Sequence, residues 1–143
     1  MTNELYAKEW LEKKYRSNEY MPEHKVYETK KGDMVRSKSE AIIADILFDL
    51  EIPYHYEKSI TLRTGEVRYP DFTLLKVRTR EEIFLEHFGL WDDEDYRRNS
   101  MRKLAEYRNN RIFPGKNLLF TFETTDTPLD IKGIKAMFRE LFL

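Results

Sequence analysis

Two β-rich runs stand close together near the middle of the chain: Val67-Arg68-Tyr69-Pro70-Asp71-Phe72-Thr73-Leu74-Leu75-Lys76-Val77 and, after a charged turn, Ile83-Phe84-Leu85-Glu86-His87-Phe88. Each carries a carboxylate, Asp71 in the first and Glu86 in the second, at a place where strands favour β-branched and aromatic residues. Taken singly, either acid has an ordinary explanation as a solvent-facing or Arg/Lys-paired side chain. Taken together on neighbouring strands, they make both ionised forms costly unless a cation or a proton compensates. Magnesium, with manganese as a substitute, suits the place, because it takes one or two carboxylates and leaves water and a substrate phosphate to complete its shell.

The surroundings of these runs read as an α/β arrangement. Upstream, Tyr54 to Arg63 followed by the turn Thr64-Gly65-Glu66 predicts a strand paired with Val67–Val77. Before it, Ser37-Lys38-Ser39-Glu40 matches a capping box, and Ile42, Ile43, Ile46, Leu47 and Leu50 follow at helical period as far as Pro53. Downstream, Asp92 or Asp93 caps a long helix to about Asn110, Asn117–Phe122 forms a fourth strand, and Asp130 caps a last amphipathic helix through Leu143. A first segment, Thr2 to Arg16, places Leu5, Trp10, Leu11 and Tyr15 near helical spacing and reads as an N-terminal helical appendage.

The chain has 143 residues, the size of one domain able to bury a real core. With 41% hydrophobic and 36% charged residues and five each of Gly and Pro, the composition is that of a folded globular domain. There is no cysteine, so thiolate zinc sites, disulfides and Cys nucleophiles are excluded, and carboxylates are left as the main metal donors. No apolar run approaches a membrane span, and the first residues lack the layout of a signal peptide, so the expected setting is cytoplasmic without a membrane partner. The net charge of -1 hides polarity. Glu81–Asp95 holds seven acids and no Lys or Arg, whereas Arg97–Lys116 holds seven basic residues against Glu106 alone. An acidic pocket beside a basic rim fits metal plus phosphate, although a solvated helix face would carry the same charges.

In motif and element order the stretch from Val35 to Phe122 resembles the PD-(D/E)xK nuclease superfamily. The resemblance rests on Pro70-Asp71, on Glu86 one strand later, and on Arg36-Ser37-Lys38-Ser39-Glu40 in the helix before them. It implies a restriction-endonuclease-like core of helix, three-stranded meander, helix and strand. It also implies metal-dependent hydrolysis of phosphodiester bonds, endonucleolytic, on nucleic acid, with DNA ahead of RNA. Glu40 would join Asp71 and Glu86 in the metal shell, its rival role being the cap bond to Ser37. Homodimerisation is left open.

One departure matters. The family's lysine two places after the second acid would be residue 88, which here is Phe88. His87 is adjacent but belongs to the opposite strand face. On a helical wheel of the following helix, Tyr96, Ser100, Met101, Leu104 and Tyr107 form the buried stripe, and Lys103 stands at its edge. Lys103 is therefore the expected replacement, an electrostatic partner for the attacking hydroxide or the phosphate. Arg36, Lys38, Arg97 and Arg102 are the expected phosphate contacts by charge. The loss of the motif lysine also motivates two rivals: a nucleic-acid-binding module that no longer turns over, and an interaction domain whose acids only pair with arginines.

Overall fold

A computed structural model describes residues 1–143 as an α/β structure of four helices and three sheets. Helix α1 (Asn3–Glu12) is capped by Thr2 and buries no residue. A 3₁₀ turn (Pro22–His24) leads to a small antiparallel ribbon, β1 (Tyr27–Glu28) with β2 (Met34–Val35). Helix α2 (Lys38–Asp49) starts where Ser37 accepts from the Glu40 amide at 3.1 Å.

The predicted long hairpin is cut in two. Strand β3 (Tyr54–Tyr56) ends at Glu57, whose φ of 49° lies in the left-handed region and turns the chain out of the ladder. The chain then forms a separate ribbon, β4 (Ile60–Thr61) with β5 (Val67–Arg68). It rejoins the sheet as β6 (Phe72–Lys76). Asp71 is thus not in mid-strand but in the bend just before β6, after Pro70, which has no N–H to give a ladder. The ladder still reaches it from one side, because the Glu57 amide donates to the Asp71 carbonyl at 2.9 Å.

β7 (Glu81–Phe88) is the central strand. It pairs antiparallel with β6 and parallel with β8 (Leu118–Phe122), and the main sheet runs β3-β6-β7-β8. A parallel neighbour needs a crossover. Helix α3 (Glu94–Asn109), capped by Asp93, supplies it. Helix α4 (Ile131–Phe142) follows, with Asp130 accepting from the Gly133 amide at 3.0 Å.

Alternation along the strands sorts side chains to two faces. Under α2 and α4 lie Tyr54, Tyr56, Phe72, Leu74, Ile83 and Leu85 with Ile43, Leu47, Ile134 and Phe138, all in the larger apolar cluster. The other face carries a smaller cluster of Phe88, Leu118, Leu104, Tyr107 and Ile112 beneath α3. Met101, expected in the α3 stripe, is exposed. The stripe is narrower than its sequence suggests and is tilted toward Lys103, which is half-buried. No helix is long and apolar enough to cross a membrane.

Candidate active site

The β6–β7 register pairs Phe72 with Leu85. Continued by one residue, it sets Asp71 opposite Glu86, so the two acids of the sequence motif meet across adjacent chain segments. Glu86 is 1% exposed, unusual for a carboxylate and tolerable only when fully partnered. Its partners come from α3. The Lys103 ammonium donates to Glu86 Oε2 at 2.8 Å, and the Tyr107 hydroxyl donates to Oε1. Lys103 and Tyr107 are one helical turn apart on the same face, so a single helix grips both oxygens. Asp71 Oδ2 in turn accepts from the His87 backbone N–H at 2.7 Å.

A cavity of about 180 Å³ opens over these groups, lined by Asp71, Glu86, His87, Phe88, Tyr96, Asn99, Ser100 and Lys103. Burial pushes the Asp71 carboxyl well above its ordinary range, and the neighbouring charge of Glu86 pushes the same way, against Lys103 and the His87 amide. Burial alone would lower the Lys103 ammonium, but Glu86 and Asp71 outweigh it and hold the proton more firmly than usual. Lys103 is therefore a fixed positive charge, not a base, at neutral pH.

Glu40 stands at the margin. It is buried, accepts from the Tyr56 hydroxyl at 3.0 Å and from the Ser37 hydroxyl at 3.3 Å, and so does not close the capping box onto the Ser37 amide. Burial, and next the charge of Asp71, push its carboxyl up to about 7. Glu40 thus feels Asp71 electrically. Yet no three His, Asp or Glu side chains gather into one ligand cluster, so a bound ion would draw first on the Asp71–Glu86 pair.

The pair suits a divalent cation on its own chemistry. It offers hard carboxylate oxygens, and with Lys103 as the one adjacent cation, full ionisation of both acids leaves a negative charge to neutralise. Phe88 fills the motif lysine's place, packing against Trp91, Phe120 and Phe122. His87 points to the far face, where its ring nitrogens meet Thr121 Oγ1 at 2.8 Å and Glu123 Oε1 at 2.7 Å.

The basic residues named from charge differ in their engagement. Arg36 holds Glu57 at 2.8 Å and the carbonyls of Met21 and Tyr20, so its guanidinium serves the fold and is not free for phosphate. Arg97 donates to the Trp91 carbonyl at 2.8 Å, and Arg102 reaches Asn99 at 3.1 Å. Lys38 is exposed at the start of α2. Sequence reading treated Tyr107 as packing only; the signal it carried was its place one turn beyond Lys103. Tyr96 was missed in the same way, although its hydroxyl accepts from the Gly89 amide at 3.2 Å and lines the cavity.

Comparison with known protein families, curated proteins and solved structures finds no match.

Proposed function

We propose that this chain is a metal-dependent nuclease of the PD-(D/E)xK kind, with its lysine carried by α3 rather than by the strand of the second acid. The observation that supports it is the meeting of Asp71, Glu86 and Lys103 at one cavity, with Lys103 Nζ 2.8 Å from Glu86. The order of helix, meander, helix and strand accords with the same reading.

In this reading Asp71 and Glu86 hold the ion, Mg²⁺ or Mn²⁺, with Glu40 as a further charge behind Asp71. When bound, the ion would lower the pKa of a water and polarise a phosphoryl oxygen. Lys103 holds its ammonium beside the phosphate, where negative charge grows as water oxygen adds to phosphorus and the ester oxygen leaves with a proton. Tyr107 fixes the Glu86 carboxylate, and the His87 amide fixes that of Asp71. Lys38, Arg97 and Arg102 are candidate contacts to the phosphate backbone, DNA ahead of RNA.

A second reading has a specific observation in its favour. Both oxygens of Glu86 are already partnered by Lys103 and Tyr107, as they would be in a non-catalytic nucleic-acid-binding relative. A magnesium titration with a polynucleotide separates the two. The expected result is cleavage that needs Mg²⁺ or Mn²⁺, ceases on chelation, and is lost in Asp71→Asn and Glu86→Gln with folding retained. Binding without cleavage by the wild type favours the second reading; cleavage that survives chelation defeats the metal mechanism.

A further inference from the structure

A second cavity, of about 300 Å³, lies where α1 crosses the end of the sheet away from the acid pair. Its wall combines aromatic rings with cations. Trp10 stacks on His55 with ring centroids 3.9 Å apart and planes 8° from parallel, while Arg80 lies 4.7 Å over the Tyr6 ring. Lys13, Lys14 and Lys58 add three more positive charges, against Glu82 as the single carboxylate. Glu82 is already taken, by the Trp10 indole N–H at 3.0 Å and by Lys58 at 3.5 Å. Lys13 and Lys14 are exposed and make no ion pair.

His55 is the independent sign that something is meant to bind. It is 2% exposed, it lines this cavity between Trp10 and Tyr15, and neither of its ring nitrogens makes a hydrogen bond of good geometry, although the Leu11 carbonyl approaches it. Buried polar groups are ordinarily satisfied, and an orphan at a pocket wall invites a ligand group. Burial, reinforced by Lys31 and Lys58, lowers the imidazole to about 4, so at neutral pH the ring is uncharged and presents one donor and one acceptor.

We propose that this pocket binds an unpaired segment of a nucleic-acid strand, a base stacking beside Trp10 and Tyr6 and phosphates lying against Lys13, Lys14, Lys58 and Arg80. Aromatic platforms joined to a cationic wall are the recurring device for single strands, whose bases are free to stack. The position agrees. Glu82 and Glu86 share one face of β7, and four residues of strand span about 13 Å, roughly the rise of four stacked nucleotides. The inference rests on the nuclease reading for its purpose, giving the cleavage site a substrate with a single-stranded portion, but not for the binding itself.

The test is fluorescence anisotropy of a labelled oligothymidine strand in the presence of chelator, so that nothing is cut. Lys13→Ala/Lys14→Ala changes only exposed side chains and should fold as the wild type does. It should bind about tenfold more weakly, and the slope of log affinity against log salt should shrink by about 1.4, two lost phosphate contacts at about 0.7 each. Trp10→Ala should weaken binding by a comparable factor. Wild-type affinity and salt slope in the double lysine variant overturn the proposal. So does a duplex of the same length that binds as tightly and is weakened equally. Cleavage by the wild type with an indifferent lysine variant would remove this pocket and leave the nuclease reading standing. Lysine-dependent binding without any cleavage would do the reverse.

Discussion

The two faces of the central sheet are built to different ends. Beneath α2 and α4 fifteen buried residues form one apolar body, whereas beneath α3 only five do, and the gap beside them is taken by Glu86, Lys103 and the half-buried Asp71. Apolar burial needs no partner of fixed direction, so the first face tolerates repacking at modest cost. A buried carboxylate needs donors in defined positions, so the second face is held by Lys103 and Tyr107 on a single helix. Apolar burial is concentrated on one side and the proposed site on the other.

The widest break between the faces should come from Phe138→Ala, at the centre of the α4 contact. Loss of a fully buried ring should cost about 3–5 kcal/mol in urea unfolding. In the proposed nuclease the residual folded fraction should keep the metal dependence of the wild type. A change in metal dependence would mean that the faces are coupled.

Glu40 sharpens the comparison because it is an acid set on the apolar side, in contact with Tyr56. Its carboxyl is raised to about 7, so its contribution to stability is complete below the ordinary carboxylate range and disappears as pH rises through about 7. Glu40→Gln, which keeps an acceptor for Tyr56, should therefore be the more stable protein above pH ~7, by about 3 kcal/mol, and gain nothing below pH ~4.5. Thermal melts with chelator across that window measure it. A uniform difference at all pH values would count against a titrating Glu40.

The smallest of these effects concerns Lys103. If the proposed nuclease reading holds, Lys103→Ala should lower turnover by about 10²-fold, near 2.7 kcal/mol in barrier, with nucleic-acid affinity less changed, since a charge used mainly as the phosphate reacts appears in rate before binding. Circular dichroism establishes folding and single-turnover kinetics separates the rate from affinity. Equal losses in both would make Lys103 a binding contact.

Much of this was legible in sequence because the signals were local. Ser37, Asp93 and Asp130 each cap the helix their side chains predict, and period-3.6 patterning set Lys103 at the edge of the α3 stripe. Asp71 and Glu86 were visible as acids among strand formers. What escaped depends on distant partners or on single dihedral angles. The left-handed turn at Glu57 divides a run that reads as one continuous strand, and nothing in Tyr56-Glu57-Lys58 announces it. The β1–β2 ribbon is too short for alternation to register. Trp10 and His55 lie 45 positions apart, and only the folded chain stacks them. Arg36 looked like any surface cation until its guanidinium met Glu57 and two carbonyls.

Strand β7 pairs with β6 as far as Leu85 and with β8 from Phe84 to Phe88, and past the end of the β6 ladder the amide of His87 is held by the Asp71 carboxylate. Amides of this kind trade their protons with solvent only when the whole domain opens, while those of α1, which buries no residue, trade by local fraying. In deuterated buffer the β7 segment that carries Glu86 should therefore be the last to gain mass, and the α1 wall of the aromatic-cationic pocket, Tyr6 and Trp10, among the first. The chain would then offer a strand a yielding surface to land on, and a rigid frame against which it is positioned.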